Sequence, residues 1–208
     1  MPLKNFFFLV LLLLSLSGCA SLKQEAPDIS YYTLEYAFPV HADAEPLPVI
    51  LQVKRFSASP AYETERMVYR HADYQRSTYF YHRWRARPTD LVTYALSHDL
   101  KERGRLKAVV GPITSISPSH FLEGTVEEFL QWNESASWQA MLSLSVTLLR
   151  AGEPDPGKRV LLQKRFTASS PCRNQQPESV AAAMSVAMAD ISGQIEEALH
   201  QALSREAR

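Results

Sequence analysis

The apolar and polar positions divide the chain into an N-terminal hydrophobic run and a longer region with alternating and helical patterns. Residues 6–16 are apolar except for Ser15, and Lys4 is the only charged residue before Glu25. As a helix this run would rise roughly 16 Å, about half of the hydrocarbon core of a bilayer. That length is typical of the apolar region of a signal peptide and is too short for a stable transmembrane helix.

Cys19 follows the run at the point where a signal peptide would be cut. The sequence Leu16-Ser17-Gly18-Cys19 resembles the lipobox of bacterial lipoproteins. The resemblance implies that residues 1–18 are a signal peptide, that the Cys19 thiol carries a diacylglyceryl group, and that an acyl chain such as palmitate modifies the new amine. An ordinary secretory signal peptide with an incidental cysteine is the alternative.

The residues after Cys19 indicate where such an anchor would place the protein. Asp directly after the lipidated cysteine resembles the inner-membrane retention signal, and Ala20 departs from it. This favours the outer membrane, with the protein on its periplasmic face. Residues 19–30 are short, polar and without periodicity, so we interpret them as a tether that reaches at most about 35 Å.

Residues 31–208 are predicted to form one domain, and their clearest pattern is a strand at 141–150. Ser143, Ser145 and Thr147 occupy odd positions, while the even positions 142–148 are Leu or Val. This alternation predicts one buried face and one face toward water or a partner. Seven further β-rich segments are predicted at 31–34, 49–53, 66–70, 77–84, 107–110, 121–130 and 159–168.

Two helices complete the predicted domain. Pro88, Thr89 and Asp90 favour a helix start, and Gly104 a stop about 15 residues later. An apolar stripe over about 178–204 predicts a long second helix, whose stripe is interpreted as packing on the sheet rather than on a partner. Hairpins are predicted for 66–84 and across the Pro- and Gly-rich turn at 151–157. The fold class is therefore predicted to be α+β, with two main helices on one face of a mostly antiparallel sheet.

Composition and charge narrow the function classes. Hydrophobic residues make up 46% of the chain, and Lys plus Arg balance Asp plus Glu at 22 each. A near-neutral domain behind a signal peptide gives no reason to expect nucleic acid as a partner. If Cys19 carries lipid, Cys172 is left without an intramolecular disulfide partner. It is then either a small buried hydrophobe or a free thiol.

No sequence motif indicates an enzyme, a metal site or a cofactor beyond the lipid on Cys19. The chain lacks G-x-S-x-G, H-E-x-x-H, Walker-type and C-x-x-C patterns, and its histidines have no ligand spacing. His98 and Asp99 are interpreted as part of a solvated helix face. Glu123, Glu127 and Glu128 are interpreted as exposed or paired strand residues. We therefore expect no catalytic activity.

A stretch of alternating aromatic and basic residues is the first candidate contact surface. Its members predicted to contact a partner are Tyr79, Tyr81, Arg83, Trp84 and Arg85. The arginines could bind lipid phosphates or an acidic partner. Alternatively, they are strand-edge charges around aromatics in the core, and Trp84 is most simply a core residue. The Ser/Thr face of the strand at 141–150 is the second candidate surface.

Several segments together resemble the ABC-type transport auxiliary lipoprotein family. They lie in the family's order behind the lipobox-like sequence and are Tyr31–Leu34, Arg66–Arg70, Tyr81–Trp84 before Pro88, Phe121–Val126 and the closing helix. The resemblance covers nearly the whole chain after the tether. It implies an outer-membrane lipoprotein that works with an MCE-domain protein and an inner-membrane permease in moving phospholipids or other hydrophobic molecules between membranes.

The family resemblance also implies no catalytic residues, and it makes a homo-oligomeric ring an expected arrangement. Two other hypotheses stay open from the sequence. One is a stand-alone periplasmic lipid carrier with an apolar cavity, and the other is an envelope hydrolase with a nucleophile and a base in contact.

Overall fold

The computed structural model describes residues 28–37, 45–134 and 137–206. The predicted signal peptide, Cys19 and most of the predicted tether lie outside the described residues. So does the loop that the sequence places around His41. The predictions made for these segments therefore stay predictions.

The described residues form nine β-strands and three α-helices, with a turn of 3-10 helix at Pro60–Tyr62. The helices are α1 (Pro88–Glu102), the short α2 (Pro156–Arg159) and α3 (Pro177–Glu206). The strands, in chain order, are β1 (Ser30–Tyr32), β2 (Leu47–Val53), β3 (Ser57–Ala58), β4 (Arg66–Arg70), β5 (Ser77–Trp84), β6 (Leu106–Val110), β7 (His120–Glu134), β8 (Ser137–Arg150) and β9 (Val160–Pro171).

Most predicted elements are found close to their predicted bounds, and β4 and β5 match them at both ends. α1 begins at Pro88, because the backbone N–H has no partner within the first turn of a helix and proline, which lacks an N–H, fits there. It ends before Gly104, whose φ of +67° is the left-handed conformation that glycine adopts most easily. The sequence missed β3, which has only two residues, and α2, which begins in the predicted turn and extends two residues beyond it.

The sheet is mixed, so the prediction of a mostly antiparallel sheet was wrong. The predicted hairpins, β4–β5 and β8–β9, are antiparallel, as is β7–β8. Five other pairings among the described strands are parallel, namely β1–β5, β2–β6, β2–β7, β3–β7 and β4–β7. The physical reason is that only a short turn forces neighbouring strands to run in opposite directions, whereas long connections let strands return side by side in parallel.

The long strand β7 organises the sheet. Its edge away from β8 is occupied in turn by β2, β3 and β4. A β-bulge lies between Val126 and Glu128, where Glu127 is the extra residue. A bulge bends a strand and increases its twist, and the sheet curls into a half-barrel.

Both long helices contribute to one core with the buried side chains of the sheet, as predicted. Their buried apolar residues occupy single stripes, which include Val92, Leu96 and Leu100 of α1 and Met184, Met188, Ile191 and Ile195 of α3. On β8 the even positions 142–148 are buried against them, so the face that carries Ser143, Ser145 and Thr147 points away from this core. The helices thus leave one side of these strands to form a separate surface.

Candidate functional site

The outward face of β7, β8 and β9 carries polar side chains in register. Three rows cross the strands, and the first of them continues onto β3. We call this surface the polar sheet face; its rows are Ser57–Thr125–Ser145–Arg165, Glu123–Thr147–Gln163 and Glu128–Ser143–Thr167.

Side chains within the polar sheet face bond mainly to one another. The Ser57 and Thr125 hydroxyls are 2.8 Å apart. Arg165 donates from Nε to the Ser143 hydroxyl at 2.7 Å, and its guanidinium lies 3.7 Å from the Glu128 carboxylate. Such cross-strand pairs hold side chains in place; Ser143 is fully buried, whereas Thr125, Ser145 and Thr147 stay partly exposed.

The middle of the polar sheet face forms an open groove of about 580 Å³. Lys54 and Arg55 flank it, together with Glu123, Thr147 and Gln163. The Lys54 ammonium stacks 4.4 Å from the centre of the Phe121 ring. The groove therefore offers hydroxyls, an amide and both signs of charge to a polar partner surface.

A second surface lies at the β1–β5–β4 edge of the sheet. Tyr31, Arg83 and Arg66 are direct neighbours across these three strands. We call it the aromatic–arginine edge, and it comprises Tyr31, Arg66, Phe80, Tyr81, Arg83 and Arg85. Arginines stack on two of its rings, with Arg66 5.7 Å from the centre of Phe80 and Arg85 6.0 Å from that of Tyr31.

The predicted aromatic–basic stretch is divided between this edge and the core. Tyr81 and Arg85 are exposed and Arg83 is half-buried. Trp84 is 2% exposed and packs edge-to-face on Phe129, with 5.0 Å between ring centres. It is thus a core residue, and its side chain offers no surface to a partner. Tyr79 is half-buried and donates its hydroxyl hydrogen to Gln131 Oε1 at 2.9 Å.

The division follows from an irregularity in β5. Thr78 pairs with Val68 and Arg83 pairs with Arg66, so five residue steps on β5 face only two on β4. The extra residues change which side chains point outward, and Phe80 and Tyr81 are therefore exposed next to each other. Tyr31 and Arg66 could not be assigned to this surface from the sequence, because only the strand pairing brings them beside Arg83.

Polar contacts hold the segment that includes β1 against the rest of the domain. The Tyr32 hydroxyl donates to Glu178 Oε1 at 2.9 Å and lies 3.0 Å from His82 Nδ1. Burial, and then the Glu178 carboxylate, raise the pKa of Tyr32 to about 12. The Glu35 amide donates to the Ser185 hydroxyl of α3.

Asp99 completes these contacts and corrects one interpretation. It is 1% exposed, and its Oδ2 accepts a hydrogen bond from the Tyr36 hydroxyl at 2.8 Å. The interpretation of Asp99 as solvated was therefore wrong. Burial raises the pKa of the Asp99 carboxyl, and the hydroxyls of Ser192 and Tyr36 oppose that rise. The position fits the apolar stripe of α1, since Asp99 lies three residues after Leu96 and seven after Val92.

Two further titratable groups, Glu196 and Cys172, are buried or half-buried. Glu196 of α3 is buried and lies 3.2 Å from Arg105 and 3.5 Å from Arg103. Burial raises the pKa of the half-buried Cys172 thiol, so formation of its thiolate is less favourable. Within the described ranges, no three His, Cys, Asp or Glu side chains are grouped as metal ligands would be.

None of the helices in the described part of the chain is long and apolar enough to cross a membrane.

Residues 32–196 match the family model of the ABC-type transport auxiliary lipoprotein component. The chain belongs to this family. The resemblance drawn from its motifs is thereby confirmed, and the family is one of transport auxiliary lipoproteins rather than of enzymes.

Solved structures support the fold of this auxiliary lipoprotein. Protein XCC0632 from Xanthomonas campestris superposes with a TM-score of 0.76 at 19% identity, over 86% of this chain and 98% of that one. The hypothetical protein CT253 from Chlamydia trachomatis gives a TM-score of 0.51 at 7% identity, over 76% and 98%. No curated protein matches the chain significantly in sequence. At these identities the likeness concerns the fold alone.

Proposed function

We propose that this auxiliary lipoprotein is a non-enzymatic subunit of an MCE-type trans-envelope lipid transport system. In this proposal lipid chains on Cys19 hold it at the outer membrane, on the periplasmic side, and the folded domain docks the periplasmic MCE-domain partner of an inner-membrane permease. Family membership supports the transport role, and the lipobox-like sequence before Cys19 supports the anchor.

The observation that carries the docking role is the polar sheet face. Its three rows are in register, and they lie on the side of β7–β9 that α1 and α3 do not cover in the described structure. Non-obligate interfaces are about as polar as ordinary protein surface and use many hydrogen bonds. A preformed array of hydroxyls, amides and paired charges suits such a contact, because little side-chain entropy is lost when a partner binds.

The cavities favour docking over carriage of a lipid. Grooves of about 720, 580 and 470 Å³ are lined by described residues, and all three are open to solvent. A carrier instead has to enclose acyl chains in apolar surroundings. The alternative of a stand-alone carrier consequently has less support than the role of an accessory subunit.

The test compares one substitution at two serines in the full-length chain. Ser145→Trp places a bulky ring in the middle of the polar sheet face, and Ser115→Trp places it in the exposed loop between β6 and β7. After affinity capture from detergent-solubilised envelopes, we expect the unmodified chain and Ser115→Trp to recover an MCE-domain protein. Ser145→Trp should recover at least tenfold less while it melts within a few degrees of the unmodified protein.

Two results would count against the proposal. If the unmodified chain recovers no MCE-domain protein, the proposal of such a transport partner is wrong. Equal recovery with both tryptophan variants moves the contact away from the polar sheet face. Native mass spectrometry of the same preparation measures the ring that the family resemblance implies.

A further inference from the structure

The aromatic–arginine edge exposes rings that a soluble domain would normally bury. Tyr31, Phe80 and Tyr81 are 49%, 63% and 40% exposed, and the Phe80 and Tyr81 rings contact each other with 4.8 Å between centres. Aromatic rings combined with arginine are favoured at the headgroup level of bilayers, where the ring meets apolar carbon and the guanidinium meets phosphate. The edge therefore has the chemistry of a membrane-facing surface.

Arg66 and Arg85 are exposed and free to bind an anion, whereas Nε of the half-buried Arg83 is buried without a hydrogen-bond partner in the described part of the chain. Among the described residues, no carboxylate lies within 4.0 Å of the guanidinium groups of Arg66, Arg83 or Arg85, although the exposed Glu65 precedes Arg66. In contrast, Arg55 is paired with Asp90, and Arg165 is near Glu128. Planar guanidinium groups match phosphate oxygens in bidentate geometry.

The position of the edge in the chain supports the same occupant. Tyr31 lies in β1, at the start of the described residues, and Asp28 is only nine residues after Cys19. Nine extended residues reach roughly 30 Å. If Cys19 is lipidated, the tether keeps Asp28, three residues before Tyr31, within that distance of the bilayer surface.

A second group of exposed apolar side chains serves as a contrast. Tyr94 and Ile113 are exposed and line a largely apolar groove with Arg55 and Asp90. The charges of that groove are already paired, with 2.7 Å between Arg55 Nε and Asp90 Oδ1. It thus combines exposed apolar surface with no unpaired cation among its lining residues, and it lacks the link to the tether.

We propose that the aromatic–arginine edge docks on the anionic headgroup layer of the membrane that holds the lipid anchor. The proposal rests on the anchoring at Cys19 proposed above. Docking at this edge orients the domain and leaves the polar sheet face, which lies on other strands, for the periplasmic partner.

The experiment places an environment-sensitive fluorophore at two positions of the full-length lipidated protein. Phe80→Cys labels the edge and Gln163→Cys labels the exposed polar sheet face, each combined with Cys172→Ser. The protein is reconstituted into vesicles of phosphatidylethanolamine and phosphatidylglycerol that contain a headgroup nitroxide quencher. We expect quenching at residue 80 to exceed quenching at residue 163 at least threefold, and to fall in phosphatidylcholine vesicles that contain the same quencher.

A charge variant tests the role of the arginines. Each arginine near an anionic surface favours binding about fivefold, so Arg66→Gln with Arg85→Gln should lower the ratio of docked to undocked protein on the order of 25-fold. Lys158→Gln with Arg159→Gln removes the same charge from the exposed α2 turn and should leave the ratio unchanged.

The outcomes separate this inference from the anchor. If the unmodified protein does not float with vesicles, the proposed anchor fails and the docking inference falls with it. If it floats but residues 80 and 163 are quenched equally, or the two charge variants behave alike, the docking inference alone is wrong. Quenching at residue 80 that is lost when the partner protein is added would identify the edge as a protein contact and overturn it as well.

Discussion

The polar sheet face and the aromatic–arginine edge are built from one sheet by opposite means. On the polar sheet face, β8 and β9 pair without a register shift across Ser143, Ser145 and Thr147, and hydroxyls, amides and charges bond to one another. At the edge, an irregular strand leaves rings and unpaired arginines exposed. The β8–β9 alternation thus produces a surface whose groups are already paired, whereas the irregularity in β5 produces one whose arginines have no carboxylate partner among the described residues.

The largest expected effect is a difference in stability between substitutions at an exposed residue of the edge and at a buried residue that supports it. Trp84→Ala should lower the free energy of unfolding by about 3–5 kcal/mol, because it empties a core position against Phe129. Tyr81→Ala, three residues earlier, should change it by less than about 0.5 kcal/mol. Urea denaturation measures both values. Similar losses for the two variants would show that Tyr81 also supports the core.

The next effect concerns the support beneath the polar sheet face. Gly124 lies between Glu123 and Thr125, and a Cβ added at Gly124 would overlap the ring of the buried Phe56. We expect Gly124→Ala to cost about 1–3 kcal/mol through forced movement of that ring. Gly111→Ala is the matched control, because no atom lies within 4 Å of its added Cβ. Equal melting temperatures for the two variants would contradict the prediction.

The next prediction concerns the pH dependence of stability through Asp99, which accepts a hydrogen bond from Tyr36 in the segment after β1. The raised pKa of Asp99 means that the folded state binds its proton more tightly than the unfolded state does. Stability from this group is therefore fully present below the ordinary value of 3.8 and is lost as the pH rises through the higher folded-state pKa.

Asp99→Asn should remove this contribution and still accept the hydrogen bond from Tyr36. We expect the variant's unfolding free energy to fall less between about pH 4 and 7 than that of the unmodified protein. Denaturation at several pH values is the measurement. Asp190→Asn, which changes an exposed carboxyl of α3, should keep the original slope.

The smallest effect tests how weakly the polar sheet face holds itself together. Glu128 and Arg165 are partly exposed and 3.7 Å apart. A double-mutant cycle with Glu128→Gln and Arg165→Gln should give a coupling of about 0.2–1 kcal/mol, as expected of a surface ion pair. A coupling above about 2 kcal/mol would mean that the pair stabilises the fold, and that a partner could not easily recruit these charges.

The sequence predicted the polar sheet face in part because strict alternation in β8 defines its two sides. The neighbouring residues Gln163, Arg165 and Thr167 were not included, although they alternate in the same way. The aromatic–arginine edge was recognised as an aromatic–basic stretch, but its membership depends on the parallel β1–β5 pairing and on the irregularity of β5. Neither depends on a local pattern, so neither could be read from the sequence.

The α+β class is confirmed, and the parallel pairings explain why the prediction of a mostly antiparallel sheet was wrong. The positions of strands and helices follow from local sequence patterns, as for β4, β5 and both long helices. Strand direction depends on how long connections return across the sheet, and three short strands share one edge of β7. The lipidation of Cys19 and the position at the outer membrane stay predictions, because that part of the chain lies outside the described residues.

The contacts that hold the segment after Asp28 have a mechanical consequence. A pull on the preceding chain would reach β5 through the backbone bonds of β1, and α1 and α3 through Tyr36, Tyr32 and the Glu35 amide. Force would thus be divided among three elements, and no single hydrogen bond would have to resist it alone. If the domain works between the anchor and the partner as proposed, these contacts would preserve its shape under tension.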